Sequence, residues 1–239
     1  MGALLTGRKA LVTGGTRGIG SAIARRLIAD GAEVTVTGAS PAGAGPLGCA
    51  FRRVDFANDG ATEAFAAEAA RADFDVLVNN AGINEVGPFA HIDPATFDHI
   101  QRVNVRAPFL LCRAVVPGMR RRGWGRIVNI ASIFGIVSKE GRAAYSTSKF
   151  ALDGLTAALA AEVAADGVLA NCVSPGFIDT ELTRRILGDS GIADIVSRVP
   201  MRRLGTADEV AALVAWLAGA ENTYVSGQNV VIDGGFTRV

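Results

Sequence analysis

The chain has 239 residues, 49% hydrophobic and 20% charged, and its 24 Lys and Arg against 23 Asp and Glu leave a formal net charge of +1. That length buries one sizeable core, and the near-neutral balance offers no electrostatic footprint for nucleic acid. No stretch approaches a membrane span, and Met1 to Leu5 is far too short for a signal segment before polar Thr6-Gly7-Arg8-Lys9, so a cytoplasmic protein with no membrane partner is expected.

The first predicted element is the apolar strand Ala10 to Val12. It runs into Thr13-Gly14-Gly15-Thr16-Arg17-Gly18-Ile19-Gly20, which opens the helical pattern Ile19, Ile23, Leu27, Ile28. Glycines there permit a tight turn and let the backbone approach a pyrophosphate, whose charge the amides of a helix start can meet. Gly14, Thr16, Arg17, Gly18, Ile19 and Gly20 are therefore candidate cofactor contacts. A second strand, Glu33 to Thr37, ends in Thr37-Gly38-Ala39-Ser40 without an acid. In a dinucleotide fold an acid at that point grips the ribose hydroxyls and repels a 2′-phosphate. Its absence, with Arg17 free to reach a phosphate and Thr37 and Ser40 as hydroxyl donors, favours NADP(H) over NAD(H). Gly, Ala and Pro dominate Gly38 to Gly48, which predicts a loop in place of a helix.

Strands follow at Ala50 to Val54 and Val76 to Val78, the latter ending in Asn79-Asn80-Ala81-Gly82 at the carboxyl end where ligands sit in open α/β sheets. A long helical pattern over Phe97 to Met119 carries Asn104 among Val103, Val105, Phe109 and Leu110, a costly place for an unpartnered amide. Arg120-Arg121-Arg122 reads as a solvated helix end suited to the macrodipole. The strand Arg126 to Ile130 precedes Ser132, and a helix starting near Ala143 puts Tyr145 and Lys149 on one face. Three polar side chains then converge. A phenol, with a pKa of about 10, needs a nearby cation to work near neutrality. Ser132 would hold a substrate oxygen, Tyr145 give or take its proton, and Lys149 lower the phenol pKa while holding a cofactor ribose.

Further strands read at Leu169 to Val173 and Val230 to Ile232, with Pro175-Gly176 and Thr180 after the first. Residues 180–200 mix apolar and charged side chains around Gly188 and Gly191, the pattern of a substrate lid. The alternation of strands and helices predicts an α/β fold: one Rossmann-type domain over 1–239, a doubly wound parallel seven-stranded sheet with helices on both faces. Cys49, Cys112 and Cys172 lack metal spacing and read as reduced core residues; His91 and His99 read as structural or surface positions. No metal is expected.

The glycine loop, Asn79 to Gly82, Asn104, the Ser132, Tyr145 and Lys149 set, Pro175-Gly176 with Thr180, and Asp233-Gly234-Gly235 occur in one order from Arg8 to the C-terminus. In that set the chain resembles the short-chain dehydrogenase/reductase family, and within it the bacterial 3-oxoacyl-(acyl carrier protein) reductases. The resemblance implies that Asp55 lies near the adenine, Asn80 near the adenosine side, and Ile178 and Thr180 near the nicotinamide. It further implies that Asn104 binds a water linking Lys149 to solvent, that a helix usually fills the Gly38 to Gly48 crossover, and that the assembly is a homotetramer. The apolar Phe150 to Ala165 helix, which needs cover beyond one sheet face, fits such an assembly.

The implied reaction interconverts a ketone and a secondary alcohol with NADP(H), Tyr145 acting as general acid or base. Substrate walls are expected from Asn84, Phe134, Ser138, Phe177, Leu182 and Ile186, with Arg142 available to an anionic or sugar-like ligand. This mixture points to a small, polar, biosynthetic substrate of cyclic or sugar-like type. The 3-oxoacyl reductase reading is the alternative, because the two basic residues that hold an acidic carrier protein fall at Gly123 and Asp166 here. A non-catalytic dinucleotide sensor is a remote one, since it would tolerate loss of Ser132, Tyr145 or Lys149, and all three are present.

Overall fold

Side chains alternate across the central strands: Ala10 and Val12 of β1 (Lys9–Val12) enter one core, and Leu11 enters the other. The same holds for β4 (Val76–Asn79), where Val76 and Val78 oppose Leu77, and both faces are dry, as parallel strands require. The computed structural model describes residues 4–40 and 43–239, the Leu182 side chain excepted. Seven parallel strands run in the order β3-β2-β1-β4-β5-β6-β7, completed by β2 (Glu33–Gly38), β3 (Ala50–Arg53), β5 (Gly125–Ile130), β6 (Val168–Pro175) and β7 (Asn229–Ile232). The expected doubly wound sheet is present.

One face is covered by α1 (Gly18–Ala29) and α7 (Ala207–Ala218), whose Ile23, Leu27, Val210 and Val214 are fully buried. The other is covered by α2 (Asp59–Ala69), α4 (Ala107–Arg122) and α5 (Ala143–Val163), through Phe65, Leu111, Met119 and Val163. Local chemistry sets several ends. Thr206 and Glu209 form a reciprocal cap on α7, Asn58 caps α2, and Asp93 with Pro94 starts α3 (Pro94–Gln101). The connection after β2 contains no helix among its described residues, as its composition predicts; Pro41 and Ala42 lie outside them.

Three expectations need correction. The pattern from Phe97 to Met119 is not one helix: α3 and α4 are separated by a π-helical turn over Arg102–Arg106 that carries Asn104. A π-turn adds one residue to a turn within a helical pattern that runs on to either side, and such insertions occur often at functional sites. The basic run at the end of α4 is also not simply solvated. Arg122 pairs with Asp73 (2.8 Å) and Asp75 (3.3 Å), and Arg120 with Asp166 (2.7 Å). All three cysteines are free, but Cys49 is only partly buried, because it lies in the connection before β3. No helix among the described residues is long and apolar enough to cross a membrane.

Candidate active site

The order of strands reverses beside β1, whose neighbours are β2 and β4, and a ligand crevice forms outside the carboxyl ends at such a point. The residues there are tied together by Thr13. Its hydroxyl accepts from the main-chain N–H groups of Asn80 and Ala81, both at 3.0 Å. The Asn80 amide returns two bonds to the carbonyls of Thr13 (2.9 Å) and Gly14 (3.0 Å). Gly14 has φ +64, and a Cβ on Gly20 would sit 2.3 Å from the Gly14 carbonyl oxygen, so only glycine closes this loop. Arg17, the N-cap of α1, supplies no side-chain cap, which leaves the first amides of the helix for an anion.

A cleft of about 590 Å³ opens over this loop, lined by Gly14, Thr16, Arg17, Gly18, Ile19 and Gly20 at one end. Asp55, Asn80, Ala81, Gly82 and Asn84 border its middle, and Ser132, Tyr145, Lys149, Pro175, Gly176, Ile178 and Thr180 the far end. These side chains fit a dinucleotide: a cradle too close for any Cβ, free helix amides, and a proton-transfer group at the opposite end.

Ser132 lies two residues past the end of β5 and caps a 3-10 turn, its Oγ accepting from the Phe134 N–H (3.1 Å). Tyr145 and Lys149 share one face of α5, with Lys149 Nζ 5.6 Å from the Tyr145 ring centroid. The lysine is 4% exposed and donates to the Ile130 carbonyl (2.8 Å). Burial pushes its pKa down to about 8 and pushes the Tyr145 phenol above its ordinary value. The groups that pull the phenol back down are the Ser132 hydroxyl and the Arg142 guanidinium. Lys149 also stays within 5.6 Å of the Tyr145 ring, beside the phenol it is expected to serve.

Asn104 is fully buried, and its amide clasps the loop after β4. Its Oδ1 accepts from the Ile83 N–H (2.9 Å), while its Nδ2 donates to the Ile83 carbonyl (2.9 Å) and the Ser148 hydroxyl (3.0 Å). A Cβ at Gly82 would stand 3.4 Å from Asn104 Oδ1 and 3.6 Å from Lys149 Nζ, so these groups face one small volume.

Other expected contacts are redistributed. Thr37 lines the cleft, and its hydroxyl accepts from the Gly14 N–H (3.2 Å), so it braces the glycine loop while its own O–H remains a donor. Ser40 does not line the cleft; it is exposed past the end of β2, where its carbonyl accepts from Gly43 N–H. Sequence reading missed Arg53, which pairs in register with Gly38 and donates to the Ala39 carbonyl (3.2 Å), bringing a second cation to the acid-free strand end. Only the parallel pairing of β2 with β3 carries that signal.

On the substrate side, Phe134, Phe177 and Phe236 stack edge to face, with centroids 6.3 and 5.2 Å apart. Phe236, from the C-terminal turn, was not anticipated. Ser138 is exposed and shares a 2.7 Å hydrogen bond with Ser146. In α6 (Glu181–Arg198), Glu181, Thr183 and Arg185 line the cleft, whereas Ile186 is half exposed and does not. The side chain of Leu182 lies outside the described residues. His99 is exposed, as expected, but borders the cleft. Asn79 and Asn129, paired in register, form a buried chain with Thr156 (2.8 and 2.7 Å) that ties β4 and β5 to α5. Two amides in register within apolar strands were a readable sign of it. Among the described residues no cluster of His, Cys, Asp or Glu is arranged to hold a metal.

A glycine cradle at a switch point with a Ser/Tyr/Lys set across the cleft defines a dinucleotide-dependent oxidoreductase. The family model for enoyl-(acyl carrier protein) reductase matches residues 14–237, and the chain belongs to the short-chain dehydrogenase/reductase family. It is 40% identical to nodulation protein G of Rhizobium sp. (strain N33) across 98% of this chain and 99% of that protein. It is 39% identical to the 3-oxoacyl-[acyl-carrier-protein] reductase of Escherichia coli (strain K12), with 98% of each covered. Among solved structures it is similar to a gluconate 5-dehydrogenase from Burkholderia cenocepacia J2315 in complex with NADP and tartrate, with TM-score 0.91 and 33% identity over 99% of this chain and 98% of that one.

Proposed function

We propose that the chain reversibly reduces the ketone of a small polar substrate with NADP(H), Tyr145 being the proton donor. One observation carries the substrate class: the buried Asn84 Oδ1 has no hydrogen-bond partner, and Asn84 lines the same cleft as Tyr145. An orphaned acceptor favours a ligand with hydroxyls over a bare hydrocarbon. The solved relatives point the same way, since gluconate is a polyhydroxy acid.

When bound, the dihydronicotinamide supplies the hydride. The chain does the remaining work. Ser132 Oγ donates to the substrate oxygen and orients it, and Tyr145 Oη passes that oxygen a proton. Burial keeps the phenol protonated at neutral pH, the form that reduction needs. Lys149, with one N–H on Ile130, keeps two donors for ribose hydroxyls. Asn104 holds Ile83 and Ser148 in place around it and borders the route by which a water would return a proton. Arg17 and Arg53 flank the strand end where a 2′-phosphate belongs, and Asp55, Ile178 and Thr180 border the adenine and nicotinamide ends.

The carrier-protein reading ranks second. Arg122, the one residue beside Gly123 able to replace a missing charge, is already committed to Asp73 and Asp75. Asp166 is paired with Arg120, which mutes the repulsion expected of it without restoring a basic residue.

NADPH oxidation across a panel of short hydroxylated ketones tests the proposal, with a carrier-protein thioester included. Arg17→Ala is expected to raise the KM for NADPH about tenfold or more while changing that for NADH little, because a guanidinium–phosphate bond is charge-assisted and only NADPH offers the phosphate. Equal losses with both cofactors, or preference of the wild type for NADH, would overturn the assignment.

Residues 180–200 are proposed as a lid. Gly188 (φ 61, ψ 179) breaks α6 into two pieces, a joint at which its first turns can swing over the cleft. Hydrogen exchange in the free, cofactor-bound and ternary states should show protection of 181–195 rising only with substrate; equal protection in all three states makes this segment a fixed wall. The half-exposed Phe109 of α4 and Phe150 of α5 support a homotetramer.

A further inference from the structure

Among the described residues three cations are buried: Arg126, Arg142 and Lys149. Two of them are answered. Arg126 donates to the carbonyls of Gly125 (2.8 Å), Gly167 (3.2 Å) and Asn222 (2.9 Å) and lies over the Trp124 ring, while Lys149 donates to Ile130. Arg142 is 8% exposed, yet its guanidinium has neither an ion pair nor a hydrogen bond. Its Nε is sealed from solvent without a partner, as that of Arg126 also is; what sets Arg142 apart is that its two Nη groups make no hydrogen bond either, yet keep an opening.

The guanidinium lies 5.3 Å from the Phe134 ring centroid and acts electrostatically on Tyr145. It therefore stands beside the Phe134 ring and close to the proton donor, just outside the residues that line the cleft, at the N-cap of the helix that carries both Tyr145 and Lys149. A structural arginine would be given carbonyls, as Arg126 is. An arginine stays charged when buried, so this one holds a fixed positive charge with two donors and nothing to receive them.

We propose that Arg142 anchors a carboxylate on the substrate, making the chain selective for keto acids and hydroxy acids over neutral ketones. This rests on the ketoreductase reading and narrows it. The planar Nη pair matches a carboxylate in bidentate fashion. A single cation balances a single negative charge, and the exposed Lys139 and Glu140 beside it add no net charge, which disfavours a phosphate. A neutral thioester leaves the guanidinium unanswered.

The test uses acetoacetate, levulinate and 5-oxohexanoate, each beside its methyl ester, so that the distance from carbonyl to carboxylate is scanned. Two readouts are taken for wild type, Arg142→Gln and Arg142→Lys: kcat/KM with NADPH, and the dissociation constant of each probe from the NADP+ complex. For at least one chain length the wild type should prefer acid over ester about tenfold or more, mostly through KM and the dissociation constant. Arg142→Gln should bring that ratio close to one, and Arg142→Lys should keep part of it. A wild-type ratio near one at every length overturns the anchor. So does an equal fractional loss on acid and ester in Arg142→Gln, which would make Arg142 a partner of the phenol alone. Failure to oxidise NADPH with any probe would overturn the ketoreductase reading instead, and the binding ratios would then still decide the anchor.

Discussion

Tyr145→Phe lowers kcat for ketone reduction by about 10²- to 10⁴-fold, the usual contribution of a positioned general acid, and leaves the dissociation constant of NADPH within a few-fold of wild type. The reason is where the hydroxyl sits. The phenol lines the far end of the cleft, across from the glycine cradle, so its removal takes away the proton and little of the cofactor site. Ser132→Ala in the same background should add little, because both groups serve one oxygen and their losses overlap. Stopped-flow single turnovers with cofactor titrations separate the two effects. A phenylalanine variant that turns over at near the wild-type rate removes Tyr145 from the chemistry.

Lys149→Met fails differently, raising the NADPH dissociation constant about tenfold or more and lowering kcat/KM together with it, since its remaining donors serve the ribose. A pH signature accompanies it. In the free enzyme the ammonium titrates near pH 8, well below its ordinary 10.5, because burial disfavours the charge. kcat/KM for NADPH, which reports on the free enzyme, therefore declines as pH rises through about 8 in the wild type and not in the variant. Stability moves the other way. Between about pH 8 and 10.5 the unfolded chain binds more protons at this position than the folded one, so the wild type gains stability as pH rises through that window. Denaturant melts at pH 7.5 and 10 should show the gain in the wild type and its loss in Lys149→Met; identical pH dependence in both proteins contradicts the burial argument.

What the sequence made legible was whatever local pattern encodes directly. Strands such as Ala10 to Val12 and Arg126 to Ile130 are apolar runs bounded by glycine or polar residues, and the Tyr145 and Lys149 spacing on a helix fixes their common face without tertiary information. The loop after β2 was legible because its composition cannot form a helix. The features that escaped depend on contacts between distant segments. Arg53 reaches the cofactor end only through the β2–β3 register, and Phe236 meets Phe177 only after the C-terminal turn folds back. The π-turn at Arg102–Arg106 adds one residue to a turn within a helical pattern that runs on to either side. Arg142 is legible in the sequence only as available to a ligand. Its burial and isolation, which give it meaning, appear only when Phe134 packs over it.

The physical division of labour in the site follows from the same packing. The cradle is held rigid by Thr13, Thr37 and Asn80, all of which spend polar atoms on backbone groups. The substrate end keeps its polar atoms unspent, at Asn84 and Arg142. A site whose cofactor cradle is braced by its own side chains and whose substrate half carries orphans is preorganised for one ligand and incomplete without the other.

The most direct test of the central claim is transfer of label from NADPH deuterated at the nicotinamide 4-position, on the transferred face, to the short ketones described above, with products analysed by mass spectrometry and NMR. The account predicts one deuterium at the carbinol carbon of the product, one NADP+ formed per alcohol, and loss of both in Tyr145→Phe. Retention of all label on a cofactor that nevertheless binds in the cleft, across acid and ester probes alike, would contradict it.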